Sequence, residues 1–374
     1  MKILAPISNI TEVEKLAEAG ADEFYCGLHS KEWQNRYQLF NLNARSMAYA
    51  NFKDLNDLKE AVETAHSHHK PVYLTLNTSY YIDKQFPKLI EIAEKCVNLG
   101  IDGFIVSDLG LISKLGKMNN DVKLHLSTIC SVQNIKACLF YEDYNISRIT
   151  LERLLSIDEI KAIKESLKNN NRKIELEAFV MNTRCINVEA FCNFQHNLNY
   201  YKKSKLGFLT RMISKHSNLL SFIKHQPNFL LNFFKNKVGY GDTPPCLSSY
   251  NINLVESDSQ NKNIVLKNMN SRINSTFKNK IQHTECGVCG LVDFNRMGLD
   301  IIKIAGRRFP LNKKVKDVTL IRKAIDIIHK EHKDSEKLEY LKNLFHDSEK
   351  VIKCNPSNCF YPKFLNKNGI CNTD

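Results

Sequence analysis

Cysteine is the residue type whose number and spacing point most directly to chemistry in this sequence. The 374 residues include 12 cysteines. Five of them bracket one long segment: Cys185 and Cys192 at its beginning, Cys246 towards its end, and the C-x-x-C pair Cys286 and Cys289 where it closes. Thiolates are soft ligands that suit zinc and iron–sulfur clusters. We therefore expect a metal site if the two ends of the segment meet in space.

The other cysteines fall into three groups. Cys26 and Cys130 lie at the carboxyl ends of predicted strands, where they either line the site or pack in the core. Cys96 and Cys138 lie among apolar residues of predicted helices, and we expect them in the core, where cysteine packs as a small hydrophobe. The cysteines of the tail form either a second metal site together with Cys289 or part of a reduced, disordered extension; they are Cys354, Cys359 and Cys371.

Polar and apolar residues alternate along several short β-like runs. These runs carry His125, the pair Glu175 and Glu177, and Lys303 at alternate positions. Successive strand side chains point to opposite faces, so one face of each run is apolar and the other is charged. If the apolar faces pack against helices, the charged faces point into a barrel. Because buried charges need partners, the pattern predicts either a polar site at the carboxyl ends of the strands or a salt-bridge network that closes the barrel bottom.

These runs alternate with amphipathic helical stretches, which is typical of βα units around a parallel sheet. The candidate strands are residues 3–7, 23–28, 72–77, 103–107, 123–128, 148–152, 174–180 and 301–305. Helices are predicted over 54–68, after an Asp54 N-cap, over 86–99 and over 318–332. Eight strands favour an α/β fold, a (β/α)8 TIM-like barrel. An open doubly wound sheet is the alternative, but no Gly-x-Gly-x-x-Gly fingerprint follows an early strand.

A cysteine-flanked insertion separates the seventh and eighth strands and is too long for a usual βα connection. We divide the chain into the first seven βα units (1–184), the insertion (185–286), the completion of the barrel (287–332), and a charged helix with a cysteine-bearing tail (333–374). Between Glu189 and Asp242 the insertion has no acidic residue but eight lysines and arginines. We therefore expect the 200–240 segment to bind polyanions such as RNA.

Composition and motifs narrow the class of protein. Apolar residues make up 43% of the chain and charged residues 25%, as in a globular protein, and the net charge is +13. No run approaches the roughly 18 apolar residues that a membrane span needs. The first residues do not resemble a signal peptide, so we expect a cytoplasmic protein. His-Glu-x-x-His, Gly-x-Ser-x-Gly and Gly-x-x-x-x-Gly-Lys are missing from the sequence.

A set of short motifs spans most of the predicted barrel. They are Ala5-Pro6, Asn43-Ala44-Arg45, Thr75-Leu76-Asn77, His125-Leu126-Ser127-Thr128, Glu177-Ala178-Phe179-Val180 with Cys185 and Cys192, and Lys303-Ile304-Ala305-Gly306-Arg307. With these motifs the sequence resembles the collagenase-like peptidase family, number thirty-two among the peptidases of unknown catalytic type. Its members include proteins described as collagen-degrading proteases. Others bind a 4Fe-4S cluster through four cysteines and support oxygen-independent hydroxylation of ubiquinone precursors or RNA bases.

The resemblance implies four metal ligands, which are Cys185, Cys192, Cys246 and Cys286. The family spacing to Gly298 and Lys303 favours Cys286 over the second cysteine of the C-x-x-C pair. If a 4Fe-4S cluster is bound, the four sulfurs should converge at the carboxyl-end rim of the barrel, beside Glu177, on the order of 6 Å apart. A zinc ion, the alternative cofactor, would hold them roughly 4 Å apart.

The resemblance also implies an enzyme. We expect His125, Glu177 and Lys303 to be catalytic, with the first two transferring protons. Asn77 and Arg307, together with Lys303, would position an anionic substrate. Two departures from the family suggest a different substrate: the chain has Met181-Asn182 where the family usually has His-Gly, and Ala305 where it usually has glutamate.

Three functions follow from these residues. The first is oxygen-independent redox or hydroxylation chemistry with a 4Fe-4S cluster, on a substrate held over the barrel mouth. The second is proteolysis, for which the sequence identifies neither a nucleophile nor a hydrolytic metal. The third is a module that binds or modifies RNA, in which the lysines and phenylalanines of the insertion contact phosphates and bases.

Overall fold

Eight parallel strands form a closed barrel, in which each strand pairs with the next and the last pairs with the first. The computed structural model describes residues 1–37, 41–45, 48–117, 122–182, 189–191, 285–330, 332–349 and 359–361. The strands are β1 (Lys2–Pro6), β2 (Glu23–Cys26), β3 (Val72–Leu76), β4 (Gly103–Val106), β5 (Lys123–Leu126), β6 (Ile146–Thr150), β7 (Glu175–Met181) and β8 (Ile301–Ile304). The predicted (β/α)8 fold is confirmed, and the open doubly wound sheet is wrong.

Helices alternate with the strands and cover the outside of the barrel. They are α1 (Val13–Glu18), α2 (Lys31–Arg36), α3 (Leu55–Ser67), α4 (Phe86–Asn98), α5 (Leu109–Gly116), α6 (Ile135–Glu142), α7 (Ile157–Asn169), α8 (Leu291–Met297), α9 (Leu311–Ile328) and α10 (Asp334–Glu349). Asp54 caps α3 as predicted, because its side chain accepts the backbone N–H groups of Asn56 and Asp57. None of the described helices is long and apolar enough to cross a lipid bilayer.

The predicted helix over 318–332 is wrong at its start, because α9 begins at Leu311, directly after Pro310. The first two turns of α9 are rich in lysine, although Leu311, Val315 and Val318 already follow the helical period. One of these lysines is nevertheless buried: the Nζ of Lys314 lies 2.8 Å from both carboxylate oxygens of Glu12 and 3.2 Å from the Oγ of Ser8. This ion pair fixes α9 to the segment that follows β1.

Apolar strand residues form two clusters, one on each side of the barrel wall. Neighbours in sequence fall into different clusters, as Ile3 and Leu4 or Phe24 and Tyr25 do. The outer cluster packs against the helices and forms the main core. The inner cluster consists of Leu4, Tyr25, Tyr73, Ile105 and Ile301. The two-residue period of a strand therefore puts aliphatic, aromatic and charged side chains into the same lumen.

The insertion lies between β7 and β8, and most of residues 185–286 are outside the described part of the chain. Where the insertion returns, the backbone of Cys286 forms β-bridges with Met181 at the end of β7 and with Cys359 of the tail. The hydroxyl of Tyr361 donates a hydrogen bond of 2.7 Å to the carbonyl oxygen of Phe179. This part of the tail therefore packs on the carboxyl end of β7, whereas the remaining tail cysteines, Cys354 and Cys371, lie outside the described residues.

Asn182 holds the end of β7 against the neighbouring parts of the barrel. Its φ of 61° is in the left-handed region, which glycine adopts readily and asparagine tolerates best among other residues. Its Nδ2 donates to the carbonyl oxygen of Ala305 at 3.2 Å and to the Oδ2 of Asp317 at 2.8 Å. The asparagine thus preserves the backbone conformation that the family's glycine allows, and it adds two buried hydrogen bonds.

We expect Asn182→Ala to lower the free energy of unfolding by about 2–4 kcal/mol, because the buried Asp317 carboxylate loses a donor and alanine is strained at this φ. Asn182→Gly removes the same hydrogen bonds without the strain and should lose about 1 kcal/mol less. Denaturant unfolding of the three proteins measures both differences. Equal stability of the alanine variant and the wild type would contradict this role.

Candidate functional site

An arginine between two carboxylates closes the amino-terminal end of the barrel lumen. Glu23 and Glu175 are the first residues of β2 and β7, and Arg148 lies on β6 between them. The Nη1 of Arg148 is 2.6 Å from the Oε2 of Glu23, and its Nη2 is 2.7 Å from the Oε2 of Glu175. The side chains of Arg148 and Glu23 are almost fully buried. This end of the lumen is therefore the salt-bridge network that the alternating strand pattern predicted as one of two outcomes.

A second ion pair, between Glu177 of β7 and Lys303 of β8, continues this network towards the other end. The Nζ of Lys303 lies 2.7 Å from the Oε1 of Glu177, and the hydroxyl of Thr150 donates to the same oxygen at 2.9 Å. The Nη1 of Arg148 is 3.6 Å from the second oxygen. Burial raises the pKa of Glu177, but the charges of Lys303 and Arg148 and these hydrogen bonds outweigh it and hold that pKa below its usual range. Glu177 is therefore ionised at neutral pH.

His125 of β5 is fully buried in the lumen. Its ring packs against that of Tyr73 at an angle of 50°, with the ring centres 4.3 Å apart, and within the described ranges neither ring nitrogen has a hydrogen-bond partner. Burial, and then the positive charges of Arg148 and Lys303, lower the pKa of His125 well below its ordinary value. The imidazole is therefore neutral at physiological pH and keeps one N–H donor and one acceptor nitrogen for a proton or a ligand.

Arg307 lies at the opposite, carboxyl-terminal end of the barrel, which we call the mouth. Its Nη1 donates to the Oδ1 of Asn51 at 3.0 Å and to the Oγ1 of Thr75 at 3.1 Å, and its Nη2 donates to the Oδ1 of Asn43 at 2.9 Å. A Cβ at Gly27 would collide with this guanidinium and with Asn51, so glycine is required there. Arg307 is thus oriented rigidly and holds the connection between β2 and α3 against the mouth.

Asn77, the second predicted substrate-binding residue, joins two loops of the mouth. Its Oδ1 accepts the backbone N–H of Ala44 at 3.2 Å, and its Nδ2 donates to the Oγ of Ser127 at 3.0 Å. Both ends of the amide are therefore engaged by neighbouring loops. In this geometry Asn77 shapes the mouth, while its role towards a substrate stays a prediction.

Three arginines make the mouth positively charged: Arg45, Arg153 and Arg307. Burial, and then the charge of Arg153, lower the pKa of Arg45. Burial is also the largest cause that lowers the pKa of Arg307 to about 10, and the charge of Arg45 adds to it. The guanidinium carbon of Arg153 lies 3.9 Å from the centre of the Phe179 ring, and its Nη1 is 2.9 Å from the Oε1 of Glu189. An anionic ligand at the mouth would relieve the repulsion among these guanidinium groups.

Glu152 is a buried carboxyl beside these arginines that the sequence analysis did not select. Burial, and then the negative charge of Glu189, raise its pKa to about 7, although Arg153 opposes the shift. The carboxyl is therefore partly protonated at neutral pH and offsets less of the arginine charge than an ionised one would. Glu152 could have been selected from the sequence, because polar residues alternate along this predicted strand at Arg148, Thr150 and Glu152.

Of the four predicted metal ligands, Cys286 is the one that the described part of the chain contains. Cys286 lies where expected, beside the carboxyl end of β7, and its Sγ accepts the backbone N–H of Val288 at 3.4 Å. Cys185, Cys192 and Cys246 lie outside the described residues, so the convergence of the four sulfurs stays a prediction. In the part of the chain that is described, no three His, Cys, Asp or Glu side chains are arranged to hold a metal ion.

Four thiols of the barrel are inactive as nucleophiles at neutral pH; those of Cys26, Cys96 and Cys138 are buried and that of Cys130 is half-buried. Burial raises the pKa of Cys26, and it raises the pKa values of Cys96, Cys130 and Cys138 to about 12. Thiolates, not thiols, attack carbonyls and bind metals. Cys96 and Cys138 are core residues as predicted.

The chain forms an α/β barrel with a polar, arginine-rich mouth at the carboxyl ends of the strands. The sequence profile of Peptidase family U32 matches residues 8–208, which is more than half of the chain. The chain therefore belongs to this family, and the resemblance inferred from the motifs is confirmed.

Relatives with assigned names carry different functional descriptions. An uncharacterised protease of Methanocaldococcus jannaschii is 33% identical over 192 residues, 51% of this chain and 43% of that protein. A tRNA hydroxylation protein P of Helicobacter pylori is 28% identical over 192 residues, 51% of this chain and 42% of that protein. A 23S rRNA 5-hydroxycytidine synthase of Escherichia coli is 28% identical over 142 residues, 38% of this chain and 20% of that protein. The matched segment thus spans less than half the length of each of these relatives.

The buried neutral imidazole of His125 makes stability depend on pH. Because its pKa is lower in the folded than in the unfolded chain, only the unfolded chain binds a proton here below about pH 6.5, and folding loses about 1.4 kcal/mol per pH unit. His125→Phe keeps a ring against Tyr73 and removes this titration. Its unfolding free energy should therefore fall less than that of the wild type between about pH 6.5 and pH 5.5, by about 1 kcal/mol.

The matched control is His329→Gln, at an exposed histidine, which should keep the wild-type slope. Denaturant titrations at several pH values measure all three slopes. Parallel curves for the wild type and His125→Phe would show that His125 is not a buried neutral imidazole.

Proposed function

We propose that this chain binds RNA at the mouth of the barrel and takes part in oxygen-independent hydroxylation of a base. The observation that carries the proposal is the group of three arginines at the mouth, Arg45, Arg153 and Arg307. Guanidinium groups recognise phosphate through charge and paired hydrogen bonds. One relative is named as a tRNA hydroxylation protein and another as a 23S rRNA 5-hydroxycytidine synthase. These names support RNA as the anionic partner. The 200–240 segment lies outside the described residues, but its eight basic side chains would add to the attraction of RNA.

The lumen residues supply groups that bind and move protons beneath the mouth. Lys303 lies between the lumen network and the mouth. Its Nζ is 2.7 Å from the Oε1 of Glu177 and 4.4 Å from the centre of the Tyr25 ring. Glu177 is held as a carboxylate, and because its pKa is lowered it is a weak proton acceptor whose main part in the proposal is to hold the ammonium of Lys303. The neutral imidazole of His125 is the second group able to accept or donate a proton. Lys303 keeps Glu177 ionised and presents an ammonium to a substrate that enters from the mouth.

A 4Fe-4S cluster is the cofactor that fits the cysteines. When bound, it transfers single electrons. Cys286 would be one ligand, since it lies beside the carboxyl end of β7 and its sulfur accepts the backbone N–H of Val288. Cys185, Cys192 and Cys246 would be the others, as the family resemblance implies. Zinc is the alternative metal for the same thiolates.

Proteolysis is the second function associated with the family. The barrel thiols do not support it, because burial raises the pKa values of Cys26, Cys96, Cys130 and Cys138. The charges at the mouth also favour an anionic substrate over a peptide backbone, which is neutral. We therefore prefer RNA hydroxylation.

The proposal is tested by mass spectrometry of nucleosides from total RNA of the source cells with the gene deleted or restored. We expect a nucleoside with one added oxygen atom to disappear on deletion and to return with the wild type. Cys286→Ala should not restore it, and the variant purified without oxygen should lose iron and sulfide, because a cluster ligand is missing. The matched control Cys138→Ala removes a buried thiol away from the mouth and should restore the nucleoside. An unchanged set of RNA nucleosides after deletion would contradict the proposed function.

A further inference from the structure

Large exposed apolar side chains are concentrated at the mouth of the barrel. Among the described residues, five of the seven such side chains lie in segments that follow the carboxyl end of a strand: Tyr49, Tyr80, Ile82, Leu109 and Leu154. The other two, Phe140 and Tyr340, lie on α6 and α10. A cluster of exposed apolar groups on one face marks a surface that contacts a partner.

The two tyrosines of this set lie on neighbouring loops. Tyr49 is 49% exposed in the connection between β2 and α3, and Tyr80 is 41% exposed in the connection between β3 and α4. The hydroxyl of Thr78 donates to the carbonyl oxygen of Asn41 at 2.7 Å and thereby joins the two connections. The contact of Asn77 with Ala44 joins them a second time. Both rings are therefore presented from one sector of the mouth.

The same sector carries arginines of the mouth. Asn51, two residues after Tyr49, accepts a hydrogen bond of 3.0 Å from Arg307. Arg45 lies four residues before Tyr49, and its pKa is lowered in part by the charge of Arg153. Exposed aromatic rings beside guanidinium groups are the combination with which proteins bind single-stranded nucleic acid: the rings stack on bases and the cations contact the backbone.

We propose that Tyr49 and Tyr80 form a stacking platform for the bases of unpaired nucleotides next to the nucleotide held at the mouth. The proposal rests on the proposed function, since it assumes that RNA is the partner. A platform of this kind selects unpaired RNA, because a double helix buries the faces of its bases against one another. The arginines would contact the backbone of any RNA, whereas the tyrosines add affinity only where a base face is free.

Binding of three synthetic RNAs to the full chain tests the platform: an unpaired oligouridylate of about ten nucleotides, the same backbone without bases, and a duplex of equal length. At one fixed salt concentration, Tyr49→Ala and Tyr80→Ala should each raise the Kd for the oligouridylate by about 5-fold or more. Tyr49→Phe and Tyr80→Phe keep the aromatic face and should bind like the wild type. The Kd values for the abasic and duplex RNAs should not change in any variant.

Tyr340→Ala is the matched control, because Tyr340 is 50% exposed but lies on α10; it should leave all three Kd values unchanged. Thermal melting of each variant verifies the fold. If neither alanine variant weakens oligouridylate binding, or if both weaken abasic and duplex RNA equally, the platform is overturned while salt-sensitive binding by the wild type still supports the proposed function. If the wild type binds none of the RNAs, the proposed function fails and the platform fails with it.

Discussion

Every charge inside the barrel must find its partner inside the barrel, and the rest of the structure depends on this constraint. Arg148 meets it by contacting three carboxylates at once, those of Glu23, Glu175 and Glu177. Lys303 provides the second cation for Glu177. The network therefore links β2, β6, β7 and β8 across the lumen. Removing a single member would leave a buried charge without compensation, which is strongly destabilising.

The two ends of the barrel lumen also differ in their charge balance. In the lumen, the cations Arg148 and Lys303 are matched by carboxylates. The mouth, in contrast, brings together three guanidinium groups beside Glu189 and the partly protonated Glu152. Lys303 lies between the lumen network and the mouth. Its ammonium is paired with Glu177 below and lies 5.6 Å from the centre of the Phe179 ring above, the ring on which Arg153 also stacks. A positive mouth over a compensated lumen suits an anionic substrate whose reacting group reaches inward.

Much of this arrangement follows from the period of the strands. Alternation alone places His125, Glu177 and Lys303 in the lumen, because neighbouring residues must face opposite sides of the barrel wall. Sequence could not show which charges pair, since the partners of Arg148 are 125 and 27 residues away along the chain. The ends of the strands were also predicted one or two residues too long in several cases, because polar residues such as Ser127, whose Oγ accepts a hydrogen bond from Asn77 of another loop, continue the alternation past the last residue of the strand. The start of α9 was missed although Leu311, Val315 and Val318 already show the apolar period of a helix, whereas the burial of Lys314 against Glu12 could not be predicted from the sequence.

The most direct test of the central constraint is a double-mutant cycle on Glu177 and Lys303, read as the free energy of unfolding. Glu177→Leu and Lys303→Met should each lower it by about 3–5 kcal/mol, because the first leaves the Lys303 ammonium buried without its carboxylate and the second leaves Glu177 to the more distant Arg148, at 3.6 Å. The double variant removes both charges and should lose at least about 2 kcal/mol less than the sum of the two single losses. Strictly additive losses would contradict the account, since they would mean that the two charges do not depend on each other inside the barrel.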